Sequence, residues 1–288
     1  MVHSPASNVA TSEGNVTVQS TTAEVTGEQI AFYETFGFLV RRQLFDPAET
    51  AAITREFDRL MDEDRRGEPF PGKSRHGVWG FAEKSPFLTQ LVEDDRIFNT
   101  VERLLGPGFS WLCSEGNLYV GNTSWHPDRS FISYPHMKVS FYLDPLTRDD
   151  GCLRVIPGSH REPLHEALKP QAAKRPETTA PPFGVEGPDL PAYPLECRPG
   201  DVFFLNMNTW HAAYGGAPGR RHMALNFVPE PTNAEHEAAM RDIHKLVLRL
   251  MSEMQYQPPG RVFTDEFLQS DRPHIRAITA KWREIGLP

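Results

Sequence analysis

The stretch "GNLYVGNTSWHPDR", residues 116–129, decides how this chain is read. Its first half carries Leu118, Tyr119 and Val120 and ends in Gly121-Asn122, which predicts a strand leaving through a loop. The second half holds His126 and Asp128 two apart. Residues i and i+2 of an extended chain point to the same side, and Pro127 forbids helix there. The imidazole of His126 and the carboxylate of Asp128 therefore converge on one point if the chain stays extended, as a metal site requires. On these two residues alone, a surface histidine beside a loop aspartate fits as well.

Outward from this stretch, the chain from Phe109 to about Val228 is a series of short apolar runs broken by Pro, Gly and Asn, the texture of a sandwich or barrel. Within it, Arg161 to Leu195 is long, Pro-rich and mixed in charge, and predicts a lid or binding loop. Helical patterns lie on either side. "GEQIAFYETFG" spaces Ile30, Phe32, Tyr33 and Phe36 helically and stops at Gly37, and the short strand "FLVRRQLF" follows. "DPAET" reads as an N-cap at Asp46, Pro47 at the first helical position and Glu49 closing a capping box. The helix behind it carries Ile53, Phe57, Leu60 and Met61 and ends in the charged loop "DEDRRGEPFPGKSRHG", whose Arg65, Arg66, Lys73, Arg75 and His76 could meet an anionic substrate or simply be solvated. Helix resumes from about Pro86 to Leu105, and again over residues 232–287. Residues 1–26 lack the apolar run of a signal peptide and the basic start of a transit peptide, and are expected to be a disordered tail. Residues 27–288 read as one domain, helices around a central antiparallel β core at about 109–228.

The chain has 288 residues, 39% hydrophobic and 24% charged, with a formal charge of -8. An acidic balance argues against nucleic acid or anionic membranes as partners and leaves a small-molecule substrate. No run of 18 apolar residues occurs, so no membrane span is expected. Cys113, Cys152 and Cys197 are scattered and odd in number, which fits free thiols in a reducing cytoplasm.

"GDVFFLNMNTWHAAYGG" supplies the third element of a site: His211, just beyond the predicted strand "VFFL". Two histidines and one aspartate, two close in sequence and one distant, form the set of a 2-His-1-carboxylate triad, which leaves open positions on iron(II) for a cosubstrate and oxygen. His136, His160 and His222 compete, but none has a carboxylate at i+2, and His160 ends the turn "VIPGSH", which suits a capping or lid role equally.

"WHPD", "KVSFYLD", "DDGCLRVIPGSH", "GDVFFLNMNTWHAAY" and "GRRHMALNFVP", in this order, resemble the phytanoyl-CoA hydroxylase-like family of iron(II)- and 2-oxoglutarate-dependent dioxygenases. "YETFGFLVRRQLF" is similar to that family's first helix and strand, and the resemblance covers nearly everything after residue 27. It implies a mainly β fold with flanking helices, a double-stranded β-helix (cupin-like jelly roll). It further implies iron(II) held by His126, Asp128 and His211, 2-oxoglutarate as cosubstrate and O2 as oxidant. The activity implied is oxidation of a small organic substrate, most simply hydroxylation, with specialised metabolism one setting for it. Because related halogenases replace the triad carboxylate with a small residue, Asp128 favours a hydroxylase, desaturase or cyclase. The rivals are a cupin-like metal isomerase or hydrolase and a metal-free binding protein on the same fold.

The family pattern also asks for a basic residue about one strand beyond the distal histidine, to clasp the far carboxylate of 2-oxoglutarate. Arg220 and Arg221 are on offer, at a spacing slightly shorter than usual. Strand parity separates them: Arg220 shares a side with His222, Ala224 and Asn226, Arg221 with Met223, Leu225 and Phe227. The polar side suits a cosubstrate pocket, so Arg220 is the expected clasp. The same parity puts Lys138, Ser140 and Tyr142 on one face of "KVSFYLD". That face is expected to meet the cavity, with Lys138 or Ser140 reaching 2-oxoglutarate or substrate unless the lysine is simply solvated. Tyr119, Trp125 and Trp210 are candidates for its walls, with packing in the sandwich the other role open to them.

Overall fold

The computed structural model describes residues 24–172, 180–253 and 263–287. Most of the expected tail lies outside them. Val25 and Thr26, read as tail, belong to the fold: Val25 is buried in the core, and Thr26 caps the first helix through a reciprocal pair with Gln29.

The elements before the β core are α1 (Gly27–Phe36), β1 (Phe38–Arg41), α2 (Pro47–Asp64), β2 (His76–Trp79), α3 (Pro86–Glu93) and α4 (Asp95–Leu105). Asp46 caps α2 by accepting from the backbone N–H groups of Ala48 and Glu49, with Pro47 at the first position. The expected single helical stretch from Pro86 to Leu105 is two helices, because the Asp94 side chain accepts from Arg96 N and starts a second one. The core strands are β3 (Ser110–Tyr119), β4 (Thr123–His126), β5 (Met137–Tyr142), β6 (Leu153–Val155), β7 (Tyr193–Leu195), β8 (Val202–Asn206), β9 (His211–Ala213) and β10 (Arg220–Val228), with α5 (Leu164–Leu168) between β6 and β7. Helices α6 (Ala234–Glu253), α7 (Asp265–Leu268) and α8 (Pro273–Glu284) close the chain.

The strands form two antiparallel sheets, a six-stranded one in the order β1-β8-β5-β10-β3-β2 and a four-stranded one in the order β4-β9-β6-β7. This is the jelly roll with flanking helices that the sequence implied. Two strands outside the expected core span join it: β1 and β2 are the edges of the large sheet.

Parity along β5 and β10 separates the faces of that sheet. Val139 and Phe141, with Met223, Leu225 and Phe227, are buried against the helices in the main core. Lys138, Ser140, Arg220, His222 and Asn226 face the other way and line a cavity of about 570 Å³. A second apolar cluster, including Phe38, Tyr142, Leu153, Val155, Leu195 and Phe203, joins the two sheets.

The segment from Arg161 to Leu195 differs from a plain loop. It forms α5 and β7, the latter paired with β6, while residues 173–179 lie outside the described residues. Leu168 and Leu190 from this segment pack with Trp125, Ile156 and Trp210 in a third apolar cluster. Trp125 and Trp210 are thus packing residues and Tyr119 alone of the three aromatics lines the cavity.

Candidate active site

The two histidines of the expected triad meet because β4 pairs with β9 in a register that sets His126 directly opposite His211. Their ring centroids are 4.4 Å apart. Each ring is held by its own backbone: His126 Nδ1 lies 2.8 Å from Ser124 O and His211 Nδ1 2.9 Å from Thr209 O. A carbonyl only accepts, so each Nδ1 carries the proton and each Nε2 presents its lone pair. Both Nε2 atoms lie 3.8 Å from the same oxygen, Oδ1 of Asp128. One donor atom from each of the three residues lies within 4.8 Å of the other two. The donor set fits a hard-to-borderline divalent ion such as iron(II): two imidazoles in the tautomer that ligates, each fixed by an outer hydrogen bond, and one ionised carboxylate.

The turn that delivers His211 is clamped to the end of α1. Gly37, at φ 83°, caps that helix, and its carbonyl accepts from Asn206 N and from Thr209 Oγ1. A Cβ on Gly37 would stand 2.5 Å from Thr209 Oγ1. Only glycine combines this backbone with this approach. His160, weighed as a rival ligand, serves the same junction by bonding through Nε2 to Glu34 O.

Electrostatics favour an ionised carboxylate. Burial opposes the charge on Asp128, but the Lys138 ammonium outweighs it and holds the carboxyl below its usual range. Lys138 Nζ lies 2.8 Å from Asp128 Oδ2 and 3.0 Å from Glu115 Oε1. Glu115, also buried, is brought down to about 2 by Lys138 and Arg75 against that same burial. Burial pushes His211 down to about 4, which keeps it neutral near pH 7.

Arg220 lines the cavity, nearly buried. Its Nη1 and Nη2 donate to Ala217 O and Gly121 O, 2.8 Å each, and its guanidinium lies where side chains on Gly151 or Gly216 would collide with it. Arg221 points away and pairs with Asp144 at 2.6 Å and Asp58 at 3.0 Å. Ser140 Oγ accepts from His222 Nε2 at 3.3 Å.

Three further lining residues, Arg75, Glu115 and Arg129, lie outside the metal and cosubstrate set expected from the sequence. Arg75, expected in a charged loop that meets either an anionic substrate or solvent, enters the cavity because it immediately precedes β2, which pairs with β3. Its Nε donates to Asn117 Oδ1 at 2.8 Å and its Nη2 to Glu115 Oε2 at 3.0 Å. Asn117 Nδ2 then donates to His222 Nδ1. Arg129 follows Asp128 and donates to its carbonyl. Period-2 parity along β3 would have grouped Glu115, Asn117 and Tyr119, but the pairing of β2 has no signal in "KSRHGVW".

Two antiparallel sheets around a cavity that holds a two-histidine, one-carboxylate cluster make a cupin-like jelly roll with a candidate metal site. Residues 33–223 match the phytanoyl-CoA dioxygenase (PhyH) family, and the chain belongs to it. It is therefore an iron(II)- and 2-oxoglutarate-dependent dioxygenase. Among its relatives is the ectoine dioxygenase of Bordetella bronchiseptica, 25% identical over 217 residues, covering 66% of this chain and 70% of that protein. The fold is similar to that of SnoK, a non-haem α-ketoglutarate-dependent carbocyclase from nogalamycin biosynthesis (TM-score 0.56, 20% identity, 73% of this chain and 86% of that one). It is similar also to HygX of Streptomyces hygroscopicus with nickel and 2-oxoglutarate bound (TM-score 0.55, 23% identity, 72% and 88%). Among the described residues, no helix is long and apolar enough to cross a membrane, and all three cysteines are buried and free.

Proposed function

We propose that His126 Nε2, Asp128 and His211 Nε2 hold iron(II), that Arg220 receives the far carboxylate of 2-oxoglutarate, and that the enzyme hydroxylates a small organic substrate in the cytoplasm. The observation that carries this reading is the pair of opposed imidazoles, each with Nδ1–H tied to a carbonyl and each presenting Nε2 to one oxygen of Asp128. Iron(II) held by His126, Asp128 and His211 would supply the activation of O2 that couples oxidative decarboxylation of 2-oxoglutarate to oxidation of the substrate. The chain's own part is to keep Asp128 ionised and His211 neutral, to orient the cosubstrate and to exclude water.

Arg220 suits a carboxylate because its planar fork is permanently charged and already held in place by two backbone carbonyls. Lys138 is committed to Asp128 and Glu115, which supports a role in positioning the metal carboxylate in place of direct contact with 2-oxoglutarate. Ser140 remains free to donate toward the cavity while accepting from His222. Asp128 supports hydroxylation over halogenation. Relatives named for ectoine, and a neighbour solved with hygromycin B, support a small polar metabolite as substrate. Residues 24–287 are read as a single catalytic unit.

Nickel(II) titration by calorimetry tests the assignment without turnover. The wild-type chain binds one ion, and His211→Ala loses that binding with its circular dichroism unchanged. Undiminished nickel affinity in His211→Ala would overturn the triad.

A further inference from the structure

We infer that the substrate is an anion, a carboxylate or phosphate, received by Arg75 at the cavity wall opposite the small sheet; this rests on the iron and 2-oxoglutarate reading above. The first ground is charge. The lining carries four cationic side chains, Arg75, Arg129, Lys138 and Arg220, against two carboxylates, Glu115 and Asp128, an excess of two positive charges. Iron(II) and the 2-oxoglutarate dianion cancel each other, so loading the site leaves that excess in place. Charge of one sign in a low-dielectric cleft raises the local concentration of the opposite ion and disfavours cations.

The second ground is where the uncommitted donors sit. Lys138 is spent on two carboxylates, Arg220 is the group assigned to the cosubstrate, and Arg129 has Nη1 on the Asp128 carbonyl and its Nε enclosed away from solvent. Arg75 differs. Two of its nitrogens are fixed by Asn117 and Glu115 and its guanidinium lies 4.8 Å over the Tyr119 ring. Its Nη1 has no protein partner among the described residues, and the side chain is 45% exposed. A guanidinium held at three points with one edge open is a preorganised oxyanion receptor. Trp79, Leu112 and Met207 supply apolar wall for the remainder of the molecule, so the fitting class is an organic acid or phosphate ester with an apolar portion.

The test uses full-length protein loaded with nickel(II) and saturated with 2-oxoglutarate, titrated by calorimetry with matched probes: phenylacetate against phenylacetamide, and phenyl phosphate against phenol. The anion of at least one pair is expected to bind ten or more times more tightly than its neutral partner, and the pair that does so distinguishes carboxylate from phosphate. Arg75→Gln is expected to cut that ratio at least tenfold, and Arg75→Lys, which keeps the charge, to retain part of it. Neutral probes binding as well as the anions, no probe binding at all, or an Arg75→Gln protein with the wild-type ratio would overturn the inference. The wild-type ratio needs no variant to fold. Titration of 2-oxoglutarate itself comes first: its failure would refute the cofactor reading and this inference together, whereas normal 2-oxoglutarate binding without anion preference refutes this inference alone.

Discussion

Lys138→Met isolates the charge balance of the site. In the metal-free protein the ammonium is shared by two buried carboxylates, at 2.8 Å from Asp128 and 3.0 Å from Glu115, and its side chain is 12% exposed, so solvent screens little of the interaction. Methionine matches the stem in length and removes the charge together with its hydrogen bonds to the two carboxylates. Taking one partner out of a buried ion pair costs about 3–5 kcal/mol. Glu115 keeps its close ion pair with Arg75, whereas the close contacts left to Asp128 among the described residues are its two histidines, so the loss should be concentrated on Asp128. Urea unfolding of the metal-free protein at pH 7 is expected to show a loss of about that size. Nickel(II) replaces at Asp128 the positive charge the substitution removed, so it should stabilise the variant by more than it stabilises the wild type, as the linkage between binding and folding requires. A loss below about 1 kcal/mol, or equal stabilisation of both proteins by nickel, would refute the view that Lys138 holds the metal carboxylate in its ionised, waiting state.

Arg220→Ala should weaken 2-oxoglutarate by roughly a hundredfold to a few thousandfold, the equivalent of about 3–5 kcal/mol. Arg221→Ala should leave that affinity alone, since it pairs outside the cavity with the exposed Asp58 and the partly buried Asp144; calorimetry on the nickel-loaded proteins ranks the two. His136 is buried and pushed down to about 3, first by burial and then by Arg129. Its stability contribution is therefore complete above the ordinary histidine value of about 6.5 and is lost as pH falls from there toward 3, at about 1.4 kcal/mol per pH unit. His136→Phe should flatten the fall in unfolding free energy between pH 6 and 4 by that slope, and an unchanged slope would contradict it. Gly37→Ala should cost at least about 1–3 kcal/mol, because it strains a positive φ and collides with Thr209 Oγ1. Nickel affinity should fall with it, through the turn that orients His211; a stability loss with unaltered nickel binding would separate cap from site.

What was legible in the sequence follows the range of the physics involved. His126 and Asp128 are two apart and needed only the period of an extended chain, and the cap at Asp46 needed Pro47 and Glu49 within the next three positions, so both were readable from short windows. The inward side of β10 was readable too, because Arg220, His222 and Asn226 alternate with three large apolar residues that only a core would take. Strand pairing is a different quantity. That His126 stands opposite His211 depends on the register of β4 against β9, and that Arg75 enters the cavity depends on β2 pairing with β3 forty residues later in the chain. Neither pairing has a local sequence signature, since register is set by the sum of side-chain contacts across a sheet. The tryptophans illustrate the opposite limit. Trp125 lies beside His126 and was open to either role, yet i and i+1 on a strand face opposite ways, so the residue next to a ligand is turned out of the site and into the packing beneath it. The same alternation that brings His126 to the metal thus commits Trp125 to the cluster with Leu168 and Leu190, which ties the segment after β6 to the sheet that carries the triad.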